Sequence, residues 1–376
     1  MRILHTSDWH LGKRLFKLDR SEEHKLFLDW LIKTLVDQEI DLLLIAGDIF
    51  DTPTPPHQSL ETFYHFLHRV SIGTKTQTFI IAGNHDSGLL LEAPAGILAS
   101  HRVKVWGKLS PNPEEHWITI KDIDLCAIPF FRSYELLPQG EGDAITALTK
   151  YLEKERIRPQ ILMLHHLAGM FEAAGSEQVI SLSGVDSIPS DLLKSFDYVA
   201  LGHIHKPQRI GNECYYSGSP IPLRFSETAK KSVVIVDVKE GKLTSVIHPI
   251  PQFRNFFIVK TNENDFRSDL SNLSASADLT PMVEVQIELT EPRSGLVDEI
   301  KSILTDKGME LLSFMPFYQT SEKAKRKNEK IYELSPLELF EEFYKAKYPE
   351  SDGVPEDLRA DFAGLLQKVK DASHPS

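Results

Sequence analysis

The strongest constraint on the fold is a repeated pattern in which a short apolar run ends directly in polar residues. Continuous runs of Val, Ile and Leu are typical of strands that are buried on both faces of a sheet. The runs are RILHTSD (2–8), DLLLIAGD (41–48), TFIIAGNHD (78–86), ILMLHH (161–166) and YVALGHIH (198–205). They predict a core built on buried strands.

Helical patterns lie between these runs. After Ser21, which we predict as a helix N-cap, Leu28, Leu31 and Leu35 recur at helical spacing. Strands that alternate with helices predict a layered α/β fold. Ligands of such sheets bind beyond the carboxyl ends of the strands. We therefore expect the polar residues at the five strand ends to meet at one sheet edge.

The charge of the chain limits how it can act on nucleic acid. Among 376 residues, 41% are hydrophobic and 26% are charged, which is ordinary for a globular protein of about two domains. The net charge is −12, whereas a free-standing nucleic-acid binder usually carries a basic surplus. If nucleic acid is the substrate, a metal centre, a local basic patch or a partner must supply positive charge.

The cysteines and the apolar segments indicate where the protein works. Cys126 and Cys214 each lie in an apolar or aromatic stretch and form no CxxC pair, so we expect packed thiols in a reducing compartment. The first strand-like run begins at residue 2, and no apolar run approaches the roughly 20 residues of a membrane span. These features predict a cytoplasmic protein without a secretory leader or membrane contact.

The pattern changes after about residue 230. KSVVIVDVKEGKLTSVIHPI (231–250) predicts a β-hairpin that turns at Glu240–Gly241. Two further strand-like runs (254–261 and 282–289), a helical GLVDEIKSILTDKG and a strand-like MELLSFMPF predict a small α+β unit. We therefore divide this part of the chain into a first domain over 1–252 and a capping domain over 253–319.

The C-terminal part is predicted to hold a linker and a helical tail. Residues 320–334 are polar and basic, and 335–370 contain two amphipathic segments. One segment carries Leu337, Phe340, Phe343 and Tyr344 on one face, and the other carries Leu358, Phe362, Leu365, Leu366 and Val369. These stripes would either pack on their own domain or dock onto the helices of a partner.

The side chains at the strand ends are of the types that bind divalent metal ions. Carboxylate, imidazole and amide donors together suit Mn²⁺, Fe²⁺ or Zn²⁺, and the absence of thiolate argues against a structural zinc site. Each motif taken alone is also compatible with a turn or a core histidine, so their coincidence carries the prediction. The donors are Asp8, His10, Asp48, Asn84, His85, His165 or His166, His203 and His205.

Local spacing adds a condition on the backbone. His203 and His205 are two residues apart, as are Asp8 and His10, and both side chains of such a pair reach one centre only from a turn. Gly202 permits such a turn. We therefore expect these pairs to lie just beyond the strands, where the chain bends.

In this order, D-x-H, G-D, G-N-H-D, a later His and G-H-x-H resemble the calcineurin-like metallophosphoesterase family over roughly residues 1–225. The resemblance implies a four-layer β-sandwich flanked by helices and a pair of divalent ions, with Mn²⁺ favoured. It also implies that Asp48 bridges the ions, that His85 acts on the phosphate without binding metal, and that Asp86 orients the His85 imidazole through a hydrogen bond. The implied ligands are Asp8, His10, Asp48 and His205 for the first ion, and Asp48, Asn84, His165 and His203 for the second. For the single histidine, the end of the apolar run favours His165, and His166 remains open.

Longer segments resemble a branch of this family, the SbcD nuclease subunits. These segments are HTSDWHLGKRL, LLLIAGDIFDTPTPP, FDYVALGHIHKPQRI and YYSGSPIPLRFSE. This resemblance implies 3′→5′ exonuclease action on double-stranded DNA and endonuclease action on single strands and hairpins, in DNA repair and recombination. It implies a partner ATPase of the SbcC type, related to SMC proteins, and a homodimer formed through helices of the first domain, for which residues 57–70 are a candidate.

Two other functions remain compatible with the residues. The same metal pattern would serve a stand-alone phosphodiesterase or phosphatase that acts on small nucleotides or phosphoproteins. A non-catalytic adaptor is the third possibility, and the presence of the complete ligand pattern together with His85 argues against it. The sequence contains no GxxxxGK[ST] phosphate-binding loop, so ATP hydrolysis would belong to a partner.

Overall fold

The computed structural model describes residues 1–16, 18–137, 142–173, 187–227, 229–318, 335–348 and 353–373. The strands are β1 (Arg2–Thr6), β2 (Arg14–Leu15), β3 (Leu18–Asp19), β4 (Leu42–Ala46), β5 (Gln77–Ile81), β6 (Val103–Trp106), β7 (Trp117–Ile120), β8 (Ile123–Ile128), β9 (Gln160–His165), β10 (Tyr198–Gly202), β11 (Gln208–Gly211), β12 (Cys214–Tyr216), β13 (Ser232–Lys239), β14 (Lys242–Pro249), β15 (Arg254–Asn262), β16 (Leu279–Leu289) and β17 (Glu310–Tyr318). The helices are α1 (Ser21–Asp37), α2 (His57–Gly73), α3 (Gly88–Glu92), α4 (Ala95–Ser100), α5 (Ser133–Leu136), α6 (Ala144–Leu152), α7 (Ser190–Leu193), α8 (Phe266–Ser271), α9 (Leu296–Asp306), α10 (Pro336–Lys347) and α11 (Glu356–Ser373).

Two six-stranded sheets form the larger unit. Their strand orders are β14-β13-β1-β4-β5-β6 and β11-β12-β10-β9-β8-β7. In the first sheet β1, β4 and β5 run parallel, and in the second β9 and β10 do so. All five predicted strands and the predicted hairpin, formed by β13 and β14, are thus confirmed.

The strands are buried on both faces because each face meets a different layer. In β4, Leu43 and Ile45 point into a core shared with α1 and α2, whereas Leu42 and Leu44 point into a core between the two sheets. The same alternation in β9 and β10 separates the inter-sheet core from a third core on the far side. The predicted four-layer sandwich is confirmed, since two sheets face each other and helices cover the outer faces.

A smaller unit follows the hairpin. Strands β15, β16 and β17 all run parallel, because α8 and α9 connect one strand to the next. Phe266, Val285 and Ile300 lie in its own core. It meets the larger unit through a small apolar cluster that contains Leu15, Phe225 and Met282.

Helices α10 and α11 form a hairpin at the C-terminal end. The ring of Phe340 stacks on Phe362 at 4.2 Å between centroids, and Arg359 pairs with Glu341 at 2.6 Å. The predicted linker over 320–334 lies outside the described residues. Neither helix of this tail, nor any other helix in the described part of the chain, is long and apolar enough to cross a bilayer.

One local prediction is wrong. The sequence predicts Ser21 as the cap of α1, but Ser21 is the first residue of the helix, and Arg20 precedes it. The carboxylate of Asp19 accepts a hydrogen bond from the backbone N–H of Ser21 at 2.7 Å. An acceptor two residues earlier therefore serves one of the free amides at the start of the helix.

The two cysteines are packed thiols, as the sequence predicts. Both are buried and free, and both lie in the core on the far side of the second sheet. Burial raises the pKa of Cys126 well above its ordinary value and that of Cys214 to about 12. Neither thiol is therefore a ready nucleophile at neutral pH.

Candidate metal centre

The polar residues at the five strand ends converge, although not at one sheet edge. Strands β1, β4 and β5 belong to the first sheet, and β9 and β10 belong to the second. The expectation of a single edge is therefore wrong: the site lies where the ends of two facing sheets meet. The imidazole of His165, at the end of β9, donates from Nδ1 to the Ala46 carbonyl of β4 at 2.7 Å. This bond joins the sheets at the site.

The first group of donors gathers around Asp8 and Asp48. One ligand atom from each of Asp8, His10, Asp48 and His205 lies within 4.8 Å of the others. His10 Nε2 is 3.1 Å from His205 Nε2 and 3.5 Å from Asp48 Oδ2. All four residues are buried. Two ring nitrogens and two carboxylates thus point into one small, buried volume.

The second group shares Asp48 with the first. His165 Nε2 lies 3.4 Å from Asp48 Oδ2 and 3.1 Å from Asn84 Oδ1. His203 Nδ1 lies 2.9 Å from the same amide oxygen. Because Nδ1 is bonded to Ala46, the other ring nitrogen, Nε2, is the one that faces Asp48 and Asn84. Asp48 Oδ2 thus lies within 3.5 Å of one histidine from each group.

His166, the alternative to His165, lies outside both groups. Its Nε2 accepts a hydrogen bond from the Phe131 backbone N–H at 3.2 Å, and its ring stacks on Phe130 with centroids 4.9 Å apart. Burial lowers its pKa well below the ordinary value. The geometry therefore favours His165 over His166 as the donor from this strand.

The backbone at the donors is unusual. Asp8, His10, Asp48 and His203 all have positive φ, at 54°, 47°, 52° and 99°. Side chains disfavour this left-handed region, so such residues persist only where the surroundings hold them. Here the Asp8 N–H donates to the Gly47 carbonyl and the His10 N–H to the Asp48 carbonyl, both at 3.0 Å. These turns let donors two residues apart reach one centre, as the spacing required.

Two glycines are needed because backbone and side chains approach so closely. A Cβ on Gly202 would lie 1.9 Å from the Ala46 carbonyl oxygen and 2.6 Å from His165 Nδ1. Gly47 has φ of +87°, and a Cβ there would lie 2.3 Å from His165 Nδ1. Only glycine fits at either position. The glycines in the strand-end motifs therefore make room for the histidine that crosses between the sheets.

His85 stands beside the donors and is held by backbone groups. Its N–H donates to Asp48 Oδ1 at 2.9 Å, and its ring Nδ1 donates to the Asp51 carbonyl at 2.8 Å. Its ring centroid is 4.8 Å from that of His10. The ring is thus fixed through Nδ1, and Nε2 is left for another partner.

The predicted role of Asp86 is wrong, because its carboxylate does not reach the His85 imidazole. It accepts hydrogen bonds from the backbone N–H groups of Ile49, Phe50 and Gly83, at 3.1, 2.9 and 2.8 Å. Asp86 therefore ties the loop after β4 to the loop after β5. In doing so it holds the backbone on which the two groups are built.

Sequence reasoning missed Asp51. Its carbonyl receives the His85 ring, and its Oδ1 lies 3.4 Å from His10 Nδ1 and 2.9 Å from Lys13 Nζ. The available signal is its place three residues after Asp48, in GDIFD, on a turn that is expected to carry a ligand. No periodicity distinguishes it from an ordinary acidic loop residue.

The electrostatics of the pocket favour bound positive charge. Burial raises the pKa of Asp8 to about 7 against the opposing charge of His165. Burial acts to raise the pKa of Asp48 as well, but His165 and His10 hold it well below the ordinary value. For His165 burial acts to lower the pKa, and the charge of Asp48 raises it to about 9. Buried carboxylates here thus depend on nearby cations for their charge balance.

These residues fit a pair of divalent metal ions. The donors are oxygen and nitrogen without thiolate, the set that suits Mn²⁺, Fe²⁺ or Zn²⁺. Two imidazole nitrogens that face each other at 3.1 Å need a shared proton or a cation between them. His10 Nδ1 is buried and has no hydrogen-bond partner among the described residues, with Asp51 Oδ1 3.4 Å away.

Comparisons with known proteins point in one direction. The pattern of the calcineurin-like phosphoesterase family matches residues 1–207, and that of the type 5 capsule protein repressor C-terminal domain matches 252–348. The chain is similar to the SbcD component of nuclease SbcCD from Escherichia coli (strain K12), at 31% identity over 90% of this chain and 92% of that protein. It is also similar to the SbcD component of nuclease SbcCD from Rhodobacter capsulatus, at 34% identity over 68% of this chain and 71% of that protein. A solved dimetal phosphatase from Danio rerio matches with a TM-score of 0.42 at 12% identity, over 67% and 96% of the two chains, which is too distant to inform function.

Proposed function

Because this chain belongs to the calcineurin-like phosphoesterase family, and within it to the SbcD nuclease subunits, we propose that it hydrolyses DNA phosphodiesters with a pair of metal ions. One observation supports this most strongly. Asp8, His10, Asp48 and His205 present ligand atoms within 4.8 Å of one another, and Asp48 Oδ2 also lies 3.4 Å from His165 Nε2, the histidine that contacts Asn84. A shared carboxylate between two donor groups is the arrangement of two-metal phosphodiester hydrolysis.

The chain's own residues would hold the ions. Asp8, His10, Asp48 and His205 would bind one ion, and Asp48, Asn84, His165 and His203 the other. When bound, such a pair supplies the Lewis-acid charge that phosphodiester hydrolysis needs. The hydrogen bond from His165 to Ala46 fixes the ring tautomer, so that Nε2 is the donor atom.

His85 would act directly on the phosphodiester. Its Nδ1 donates to the Asp51 carbonyl, and this bond orients the ring so that Nε2 faces away from Asp51. A protonated ring in this position can donate from Nε2 to the leaving oxygen, which is the work of a general acid. The ring is partly exposed, so a bound DNA strand can reach it.

DNA is the substrate class that the relatives favour. Both curated relatives are named as parts of a nuclease, and the similarity to one of them covers 90% of this chain. We propose 3′→5′ exonuclease action on double-stranded ends and endonuclease action on single strands and hairpins, in DNA repair and recombination, with Mn²⁺ as the preferred ion. Because the chain carries a net charge of −12, it repels the DNA phosphates, and bound cations and a partner would have to offset this repulsion.

A partner follows from the tail. Phe343 and Leu365 are 63% and 59% exposed, and none of the described apolar side chains of α10 and α11 belongs to a hydrophobic core. Exposed apolar positions on paired amphipathic helices suit docking onto other helices. Because the relatives are components of an SbcCD nuclease, we propose an SbcC-type ATPase as the partner. We propose a homodimer through the α2 surface, and a cytoplasmic location.

A direct assay separates this function from that of a stand-alone phosphoesterase. Purified protein with Mn²⁺ is given hairpin and blunt-ended DNA and, in parallel, bis-p-nitrophenyl phosphate and cyclic nucleotides. We expect cleavage of DNA that increases when the ATPase partner and ATP are added. Rapid turnover of the small diesters with intact DNA, even with the partner present, would identify a small-molecule phosphodiesterase instead.

Replacement of His85 tests the division between ligand and acid. In His85→Ala we expect both manganese ions to remain bound, while DNA cleavage falls by about 10²–10⁴-fold, the usual effect of losing a general acid. Metal content is measured by elemental analysis of the dialysed protein. A variant that also loses manganese would show that His85 is a ligand and would contradict the assignment.

A further inference from the structure

A buried lysine touches the backbone of one predicted ligand. Lys231 precedes β13, and its side chain is only 6% exposed. Its ammonium lies 3.1 Å from the His205 carbonyl oxygen, 2.8 Å from Ser219 Oγ and 2.6 Å from Glu227 Oε2. A buried ammonium is costly unless its protons are bound, and these three acceptors bind all three. Lys231 is therefore a fully satisfied buried cation.

Ser219 reinforces the contact between Lys231 and His205. The same carbonyl also accepts from the Ser219 N–H at 3.1 Å, and Ser219 Oγ donates to the Ile221 carbonyl at 2.9 Å. Glu227 Oε2 accepts from the Leu223 N–H at 3.2 Å. Ser219 and Lys231 thus both bond the peptide oxygen of His205, and Ile221 and Glu227 are bonded to these two residues.

His205 needs such an anchor. It lies three residues past the end of β10, beyond His203 with its positive φ, so no strand pairing holds it. Its Nε2 must nevertheless stay 3.1 Å from His10 Nε2 for both rings to serve one centre. Fixing the carbonyl limits rotation of the peptide and so limits the directions in which the side chain can point.

We propose that Lys231 is a positioning residue of the metal centre: it holds the His205 backbone so that the imidazole presents Nε2 to the first ion. This rests on the proposed function, since it requires that His205 binds metal. The Glu227 carboxylate, 2.6 Å from the Lys231 ammonium, balances its charge. A lysine can therefore stand behind a cation site without adding net positive charge to it.

Manganese binding to the full chain tests this role. The variants are Lys231→Met and the double variant Lys231→Met/Glu227→Gln, which leaves no unpaired charge in the interior. The control is Lys230→Met, since Lys230 is the exposed neighbour. Binding is followed by titration calorimetry and by the manganese EPR signal, and the unfolding temperature of the metal-free protein is measured beside it.

The expected result is asymmetric. Affinity at one of the two manganese sites falls by about 10–100-fold in both Lys231 variants, the usual effect of losing a group that orients a ligand. The other site and the Lys230 control keep their affinity. In the double variant, which lacks the unpaired carboxylate, this loss appears without a comparable fall in the unfolding temperature of the metal-free protein.

Two outcomes would overturn different claims. Two sites of unchanged affinity in the double variant would reduce Lys231 to a structural ion pair and leave the metal centre standing. A failure of the wild-type chain to bind two manganese ions would instead overturn the centre on which the proposed function depends. A Lys231→Met protein that does not fold is judged from the double variant alone.

Discussion

The metal centre and the C-terminal tail of this molecule are organised in opposite ways. At the centre, Asp8, His10, Asp48 and His165 are essentially inaccessible to solvent, and backbone bonds, strained turns and a cross-sheet bond hold them. In the tail no described side chain is buried, and Phe340 of α10 stacks on Phe362 of α11. Contacts within the chain hold the first region, whereas the described side chains of the second form no core of their own.

The same residue type shows the difference. Gly202 lies where a Cβ would be 1.9 Å from a carbonyl oxygen, whereas a Cβ on Gly364, inside α11, would meet nothing within 4 Å. Glycine is required in the centre and is merely tolerated in the tail. Chemistry that needs fixed distances is therefore built where the packing leaves no alternatives, and recognition is left to a surface that can adapt.

The largest effect is expected from Asp48→Asn, which removes the charge shared by both donor groups. We expect both manganese ions to be lost and cleavage to fall by about 10³-fold or more, or about 4 kcal/mol of transition-state stabilisation. Binding to the partner should not change, because Asp48 lies within the sheet sandwich and not in the tail. Metal analysis and a pull-down with the partner test both halves, and a joint loss would show that the two regions are not independent.

The next effect is steric. Gly202→Ala should lower the free energy of unfolding by about 3 kcal/mol, since the added methyl group forces the two sheets apart at the centre. Gly364→Ala is the matched control and should stabilise α11 by about 0.5–1 kcal/mol without changing the main unfolding transition. Denaturant unfolding and amide hydrogen exchange measure the two effects. If Gly202→Ala has the same free energy of unfolding as the wild type, the two sheets can separate enough to accept the methyl group, and the close packing at Gly202 is not required.

The smallest effect is confined to recognition. Phe343→Ser should leave unfolding and intrinsic cleavage unchanged and weaken partner binding by about 2 kcal/mol, as expected for an apolar anchor. Ile157→Ser is the control, because Ile157 is 70% exposed on the larger unit. Affinities from surface binding measurements decide the matter. Equal affinity in both variants would place the docking surface elsewhere.

Much of the centre could be predicted from the sequence because donor type and strand ends are visible there. The buried strands, the layered fold, the cluster of Asp8, His10, Asp48 and His205, and the contacts of Asn84 with His165 and His203 all followed from apolar runs that stop at polar residues. Amphipathic spacing likewise predicted the tail helices. Both kinds of pattern are local and need only neighbouring residues to be read.

The remaining features depend on where the chain goes in three dimensions. That the strand ends belong to two sheets depends on their pairing, and the choice of His165 over His166 follows from which ring reaches Ala46. From the sequence, the Asp86 carboxylate could accept hydrogen bonds from a side chain or from backbone amides. It accepts from the amides of Ile49 and Phe50 because the loop after β4 lies beside it. Lys231 is 26 residues from His205, so no local pattern links them.

The bond from His165 to the Ala46 carbonyl crosses the space between the sheets, which has a consequence for distant residues. If one sheet slides along the other or moves away from it, His165 must move relative to Asp48 and the other donors of the first sheet. The apolar side chains between the sheets set the separation of the sheets, and therefore the distances between His165 and the donors of the first sheet. Replacing one of these side chains by a larger or smaller one would lower the turnover rate before it unfolded the protein.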